Sequence, residues 1–277
     1  MVVVNKLVMA SDGYLARPVG KWSKEKHHYL RRYCEIFDKG MQHLWPYRVY
    51  VDLFAGPGRC LIHDTGEEID WSPIIAQRCS PPFTHFLFND LDASATAALA
   101  QRTKALGTQQ VEYMSLDCNL AIVPIVGRLR QLPSPPLCLC FIDPTGWQVT
   151  FNSVKTLTAN YRMDLIVVFQ SSSMKRAAHL SPDALTAFFD DDPRMPEWRT
   201  LYHTAPNGSR TRALVDHYEQ RLKGIGYVWF HDHVSVELEN DGLPLYQMLF
   251  ASKHERGQDF WRKIAVKQEN GQLRLGI

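Results

Sequence analysis

Hydrophobic positions along this chain follow two spacings in turn. After Ser23, a plausible helix N-cap, Tyr29, Tyr33, Ile36 and Phe37 recur at helical spacing and give one apolar face, which Pro46 closes. Arg48 to Phe54 is instead a continuous β-branched and apolar run. It breaks abruptly into Ala55-Gly56-Pro57-Gly58, the pattern of a buried strand entering a Gly-rich turn. Phe86 to Phe88 is a second such strand, ending in Asn89-Asp90-Leu91-Asp92, with an Ala-rich helix from Ser94 to about Leu106 behind it. Val111 to Met114, Leu137 to Ile142 and Met163 to Phe169 continue the series, and a helix over Leu120 to Leu132 has its start limited by Pro124. This βαβ rhythm predicts an α/β domain with a mostly parallel sheet.

The rhythm lapses over residues 171–208. That stretch is polar and contains Pro, and it holds Phe188-Phe189, the acidic run Asp190 to Asp192 and Trp198. Its pattern reads as an inserted helical or loop segment, an insertion or lid outside the core. Helical spacing resumes from Arg212 to Lys223. Two last strands, about Val228 to Leu238 and Leu245 to Ala251, flank Asn240-Asp241-Gly242, a hairpin-type turn. A sheet that finishes on a hairpin carries an antiparallel strand, which separates the Rossmann-like methyltransferase variant of the fold from the dehydrogenase one.

Composition narrows this picture. At 277 residues and 45% hydrophobic content, the chain is long enough for one large α/β domain, so residues 1–277 are read as a single unit, with 1–45 an N-terminal extension and helix. A formal net charge of +2 gives no global field for nucleic acid or a membrane surface. The six cysteines include Cys138 and Cys140 inside an apolar run, and none forms a Cys-x-x-Cys pair; they read as reduced, buried thiols, without a zinc ribbon or a disulfide framework. Met1 to Ala10 is apolar but short and interrupted by Asn5 and Lys6, a poor signal peptide or anchor, so the expected location is the cytoplasm, away from membranes.

Candidate chemistry sits at the strand ends, where open α/β sheets present ligands. Asp52 can accept a hydrogen bond from a cationic amino group, directly or through water, and the small residues Ala55, Gly56 and Gly58 beside Phe54 let the backbone approach a cofactor closely. A dinucleotide fingerprint would require a third small residue where Leu61 stands. S-adenosylmethionine carries no pyrophosphate and makes no such demand, and it is the expected cofactor. Asp90 stands where a carboxylate can accept from both ribose hydroxyls, with Asp92 the competing choice or a helix N-terminal acid. Asp117 is either an acceptor for the adenine amine or a surface-turn residue. Asp143 and Pro144, a carboxylate followed by a carbonyl, can together hold the hydrogens of a methyl-acceptor amine. Thr145 and Gly146 adjoin them, and Trp147 is either a stacking face for a planar group or a core residue. Trp22 and Lys26, one helical turn apart, can pack over the cofactor mouth. His231 and His233 share a strand face without further ligands, so no metal site is expected.

Asp12-Gly13, Val19-Gly20, Trp22, Lys26, the Asp52 to Gly58 loop, Phe141-Ile142-Asp143-Pro144 with Gly146, Tyr246 to Lys253, and Phe260-Trp261 with Lys263 together resemble the bacterial three-Cys-motif partner proteins, over nearly the whole chain. The resemblance implies a class I methyltransferase fold, an S-adenosylmethionine site that includes Lys26, and association with a separate three-cysteine, radical-type enzyme. The Asp-Pro-x-Gly element is also similar to that of tRNA guanine N-methyltransferases, although Thr145 stands where an aromatic is usual. The expected activity is N-methylation of a nucleobase, in RNA or in a nucleoside-like small molecule. The alternative is a cofactor-binding partner protein with little catalysis of its own.

Overall fold

The computed structural model describes residues 6–107, 110–230, 234–237 and 244–266. In chain order, β1 (Val8–Met9) and β2 (Leu15–Val19) precede α1 (Ser23–Met41). Then come β3 (Arg48–Asp52), β4 (Arg59–Ile62), β5 (Glu68–Asp70) and α2 (Ser72–Gln77). Three βα units follow: β6 (His85–Asn89) with α3 (Ala93–Thr103), β7 (Gln110–Met114) with α4 (Ile122–Arg130), and β8 (Leu137–Ile142) with α5 (Phe151–Thr158). From β9 (Arg162–Phe169) the chain enters α6 (Met174–Leu180), α7 (Pro182–Phe189), α8 (Glu197–Thr204) and α9 (Arg210–Lys223). It closes with β10 (Trp229–Phe230), β11 (Val234–Glu237), β12 (Pro244–Ser252) and α10 (Glu255–Ala265).

The main sheet runs in the order β7-β6-β3-β8-β9-β12, with β10 and β11 both paired to β12. Every pairing from β7 to β9 is parallel, and β12 joins β9 antiparallel, with Leu249 opposite Val167. The expected antiparallel finish is therefore present, while its turn at 240–242 and the His231-Asp232-His233 triplet lie outside the described residues. Strand β3 is buried throughout, and its alternation divides two cores. Val49, Val51 and Leu53 face α4, α5, α7 and α9, whereas Tyr50 faces α1, α2 and α10. Both faces of a parallel sheet must be covered by helices, which is why strands such as Leu137–Ile142 read as unbroken apolar runs. All six cysteines are buried and free, as their apolar settings implied.

Two departures from the sequence reading concern the edges. A second, four-stranded sheet, β1-β2-β4-β5, is built from the N-terminal extension and the segment after the Gly-rich turn. Its strands are two to five residues long, too short for alternation to stand out against the surrounding turn residues. Arg102 of α3 ties this sheet to the turn: it pairs with Asp12 at 2.8 Å and donates to the carbonyls of Leu15 and Pro57.

The second departure is residues 171–208, which are not peripheral to the core. They form α6 to α8, and Leu185, Phe188, Phe189 and Trp198 are fully packed inside, Phe188 stacking on Tyr218 of α9. A helix of eight residues can bury one apolar face while most of its sequence stays polar, so the polarity of the segment concealed its packing.

Candidate functional site

The strand order reverses at β3, which has β6 on one side and β8 on the other, and ligands in open α/β sheets bind at such a switch point. A cavity of about 870 Å³ lies there, at the carboxyl ends of β3, β6, β7, β8 and β9. Each strand delivers one or two groups to it: Leu53 and Phe54, Asn89 and Asp90, Asp117, Asp143, and Gln170. The small sheet and α1 form the opposite wall with Arg17, Trp22 and Lys26, and β12 adds Tyr246. A volume of this size is near the upper end for small-molecule sites, enough for a cofactor and an acceptor together.

Asp90 accepts from Gly56 N at 2.8 Å and from Asp92 N at 3.0 Å, so both carboxylate oxygens face backbone donors, and Arg17 stands 3.6 Å away. Asp90 thereby clamps the Gly-rich turn to β6 while still lining the cavity, each oxygen keeping a further lone pair. Asp92 is the N-cap of α3: it accepts from Ser94 Oγ at 2.6 Å and from Ser94 N and Ala95 N, and these bonds, the Ser94 hydroxyl first, hold its carboxyl below the usual range. Asp117 accepts from Asn119 N at 2.9 Å and reaches the same cavity.

The Gly-rich turn lies behind the cavity wall. Gly58 has φ +82°, and a Cβ there would stand 2.8 Å from Leu99 Cδ1, so glycine is required both by conformation and by the closeness of α3. Asp52 departs from expectation. It is completely buried, lines no part of the cavity, and accepts from Ser72 Oγ at 2.6 Å, Phe54 N at 3.0 Å and Tyr50 Oη at 3.3 Å. Burial pushes its carboxyl up to about 7 against those three donors. Asp52, Ala55, Gly56 and Gly58 thus shape the loop, and Phe54 presents itself to the cavity.

At the far end, Lys26 Nζ lies 2.5 Å from Asp143 Oδ2, with side chains only 8% and 4% exposed. The same ammonium sits 4.9 Å from the Trp71 ring and 5.6 Å from the Tyr246 ring, a cation held between two aromatic faces and one carboxylate. The Pro144 carbonyl is already engaged by Gln170 Nε2 at 2.6 Å. Gln148, next to Thr145 in the cavity lining, has a buried Oε1 with no partner among the described residues. Trp147 is the core residue of its two readings: its ring packs edge-on against Phe169 and Phe188, and Nε1 donates to Ser173. No aromatic face is left for stacking, because the ring points into the apolar layer under α7. Thr145 lines the cavity and Gly146 stands behind it.

Arg17, Trp71, Gln148 and Gln170 went unnoticed in the sequence. Arg17 sits on a five-residue strand, and Trp71 precedes a six-residue helix, neither of which has a periodic signature. A Trp-Ser-Pro N-terminal helix signal at 71–73 was the one available hint.

The sheet order, with β12 antiparallel in a parallel sheet and a cavity at the switch point, defines a Rossmann-like class I methyltransferase fold. Among solved structures, protein LPL1258 of Legionella pneumophila, assigned to family-model DUF519, matches with a TM-score of 0.53 and 11% identity, covering 84% of this chain and 85% of that one. TYW2 of M. jannaschii in complex with AdoMet gives 0.43 at 11% identity over 89% and 84% of the two chains. The N-methyltransferase NodS of Bradyrhizobium japonicum with S-adenosyl-L-homocysteine gives 0.41 at 10% over 85% and 89%. At such identities the likeness concerns the chain path alone, and the last two scores are too low to add to it. No protein-family model and no curated protein matches the chain, so membership of the three-Cys-motif partner family is not shown. Among the described residues, no helix is long and apolar enough to cross a membrane.

Proposed function

We propose that this protein is an S-adenosylmethionine-dependent methyltransferase that N-methylates a nucleobase or nucleoside-like amine. The observation that carries the proposal is the convergence, in one cavity on this fold, of Asp90 and Asp117 at one end and the Lys26–Asp143 pair at the other. The residues fit the cofactor. Asp90 keeps lone pairs for ribose hydroxyls, Asp117 for an exocyclic amine, and four carboxylates (Asp90, Asp92, Asp117, Asp143) suit a ligand with two cationic centres. Ala55, Gly56 and Gly58 give the turn its close course, and Asp52 fixes that turn from beneath. When bound, S-adenosylmethionine supplies a methyl carbon already activated by a positive sulfur.

The protein's task is then to place the nucleophile. An amine must aim its lone pair at the methyl while its hydrogens are held elsewhere. Asp143 accepts one hydrogen, with Lys26 fixing the carboxylate, and the unpartnered Gln148 Oε1 is the second acceptor, taking the part first assigned to the Pro144 carbonyl. Pro144 sets the turn that carries Asp143 into the cavity, Thr145 forms its edge and Gly146 stands behind it.

Calorimetry with S-adenosylmethionine and a methyl-transfer assay on cell-extract nucleosides and RNA test this reading. Asp143→Ala should lower turnover by about 10²-fold or more with cofactor affinity nearly intact. Asp90→Ala should instead weaken cofactor binding, by roughly 1.5–3 kcal/mol. Tight binding with no methylated acceptor would replace the enzyme by the alternative, a cofactor-binding partner of a three-cysteine radical-type protein.

A further inference from the structure

A second cavity, of about 430 Å³, opens at the opposite end of the sheet, where β8 and β9 begin and β12 ends. Its lining joins two aromatic rings, Trp45 and Phe260, with three cations, Arg162, Lys253 and Arg256. None of the three forms an ion pair with a carboxylate among the described residues. Arg162 lies over the Trp45 ring at 5.5 Å, which orients its guanidinium, whereas Lys253 Nζ is anchored on the Thr158 carbonyl at 2.6 Å and lies over the Tyr227 ring at 5.1 Å, adding positive charge from the cavity's rim. Among the described residues the one acid in the lining is Asp164, nine-tenths buried, which accepts from Tyr33 Oη at 2.7 Å and from the Ser252 hydroxyl. Counted over the described residues, three cations around one inward-facing acid give the lining an excess of two positive charges, inside a protein whose total is +2. Packing is close beneath it: a Cβ on Gly257 would meet Ser252 Oγ at 2.4 Å and Asp164 Oδ1 at 3.1 Å, so the first turn of α10 is seated against the floor.

We infer that this second cavity binds a small planar anion of the nucleoside-monophosphate class. The flat group lies against Trp45 and Phe260, its phosphate is taken by Arg162 and Arg256 with the Lys253 charge close by, and its N–H edge is offered to Asp164. Arginine and lysine donors match phosphate oxygens, aromatic walls match a planar base, and a buried carboxylate beside them selects a ligand with a hydrogen-bond donor. This site is independent of the proposed methyl-transfer site, which lies across the full height of the sheet.

Calorimetry of the full chain with adenosine monophosphate, adenosine and inorganic phosphate tests the inference, each titration run with S-adenosylhomocysteine in excess so that the first cavity is blocked. The monophosphate should bind at least roughly tenfold more tightly than adenosine or inorganic phosphate, and Arg162→Met or Arg256→Met should each weaken it by roughly tenfold or more. Both arginines are exposed, so their loss leaves the core intact. Trp45→Ala keeps the charges and should weaken the monophosphate while leaving inorganic phosphate unchanged. The inference fails if monophosphate affinity is the same in the arginine variants, if inorganic phosphate binds as tightly as the monophosphate, or if excess S-adenosylhomocysteine abolishes monophosphate binding.

Discussion

Asp143 and Lys26 show how much of a site depends on pairs that a sequence does not reveal. The Asp-Pro-x-Gly turn marked Asp143, and helical spacing marked Lys26, but nothing in the order of residues said that the ammonium would lie on that carboxylate, 117 positions away. Replacing one member of a buried pair leaves the other charge without compensation, whereas replacing both is far milder. Lys26→Met should therefore cost about 3–5 kcal/mol in urea unfolding, and Lys26→Met with Asp143→Asn should recover most of it. A double variant no more stable than the single one would remove the pairing from the account. Asp52 supplies a second test. Its folded carboxyl is pushed up to about 7 by burial, whereas the unfolded chain titrates near 4. Between roughly pH 4 and pH 7 the folded state therefore holds a proton that the unfolded state has released. The stabilisation is complete below that window and is lost as pH rises through it. Asp52→Asn cannot ionise, so its stability relative to the native protein should improve by up to about 4 kcal/mol between pH 4.5 and pH 7.5. A constant gap would mean that Asp52 titrates as an ordinary surface acid.

Elements were legible in proportion to their burial and length. Strand β8 was read at its true limits because six consecutive buried residues leave no polar interruption, and β3, β6, β7 and β9 were read to within a few residues for the same reason. The small sheet was missed because its strands offer only a few positions each, most of them exposed or intermediate. The segment 171–208 was misjudged for a different reason, since its order comes from tertiary contacts rather than periodicity. Asp191 joins it to α9: one oxygen accepts from Trp198 N at 2.7 Å, the other from His217 Nε2 at 2.8 Å and Arg221 at 2.7 Å. Asp191, Glu197 and His217 bring ligand atoms within 4.8 Å of one another, but Arg221 shares the same carboxylate, which makes the group a brace more than a cation site. The acidic run at 190–192 fell within the segment read as an insertion or lid because the partners of Asp191 lie as far as 30 residues away. Asp191→Ala should cost about 3–5 kcal/mol in thermal or urea unfolding, with α7 and α8 losing hydrogen-exchange protection first. Uniform loss of protection across the main sheet would show that these helices unfold with it.

At the scale of the whole molecule, charge decides between a polynucleotide and a small acceptor. A net charge of +2 is close to balance, and the cations of the main cavity are largely answered from within: Lys26 by Asp143, and Arg17 by Asp90 at 3.6 Å. Lys6 remains on its lining, with Lys175 and Arg176 exposed on α6, a short distance along the chain from Gln170. A single RNA strand tracked by two such cations would release about two counterions' worth of salt dependence, a slope of roughly −1.4 in log affinity against log salt. Between 50 and 200 mM salt the affinity for a labelled RNA should then fall by less than about tenfold, as read by fluorescence anisotropy. A nucleoside acceptor should show almost no salt dependence, because its recognition by Asp143, Gln148 and the aromatic wall involves no phosphate. A fall of about 10³-fold would instead require about seven phosphate contacts or more. The cavity alone cannot supply them, so the α6 pair would have to carry part of the load, and Lys175→Ala with Arg176→Ala should then reduce the slope by about 1.4. If that double variant leaves a steep slope untouched, RNA binds this protein on a face away from the proposed methyl-transfer cavity, and the proposed nucleobase acceptor is not delivered as part of a long strand.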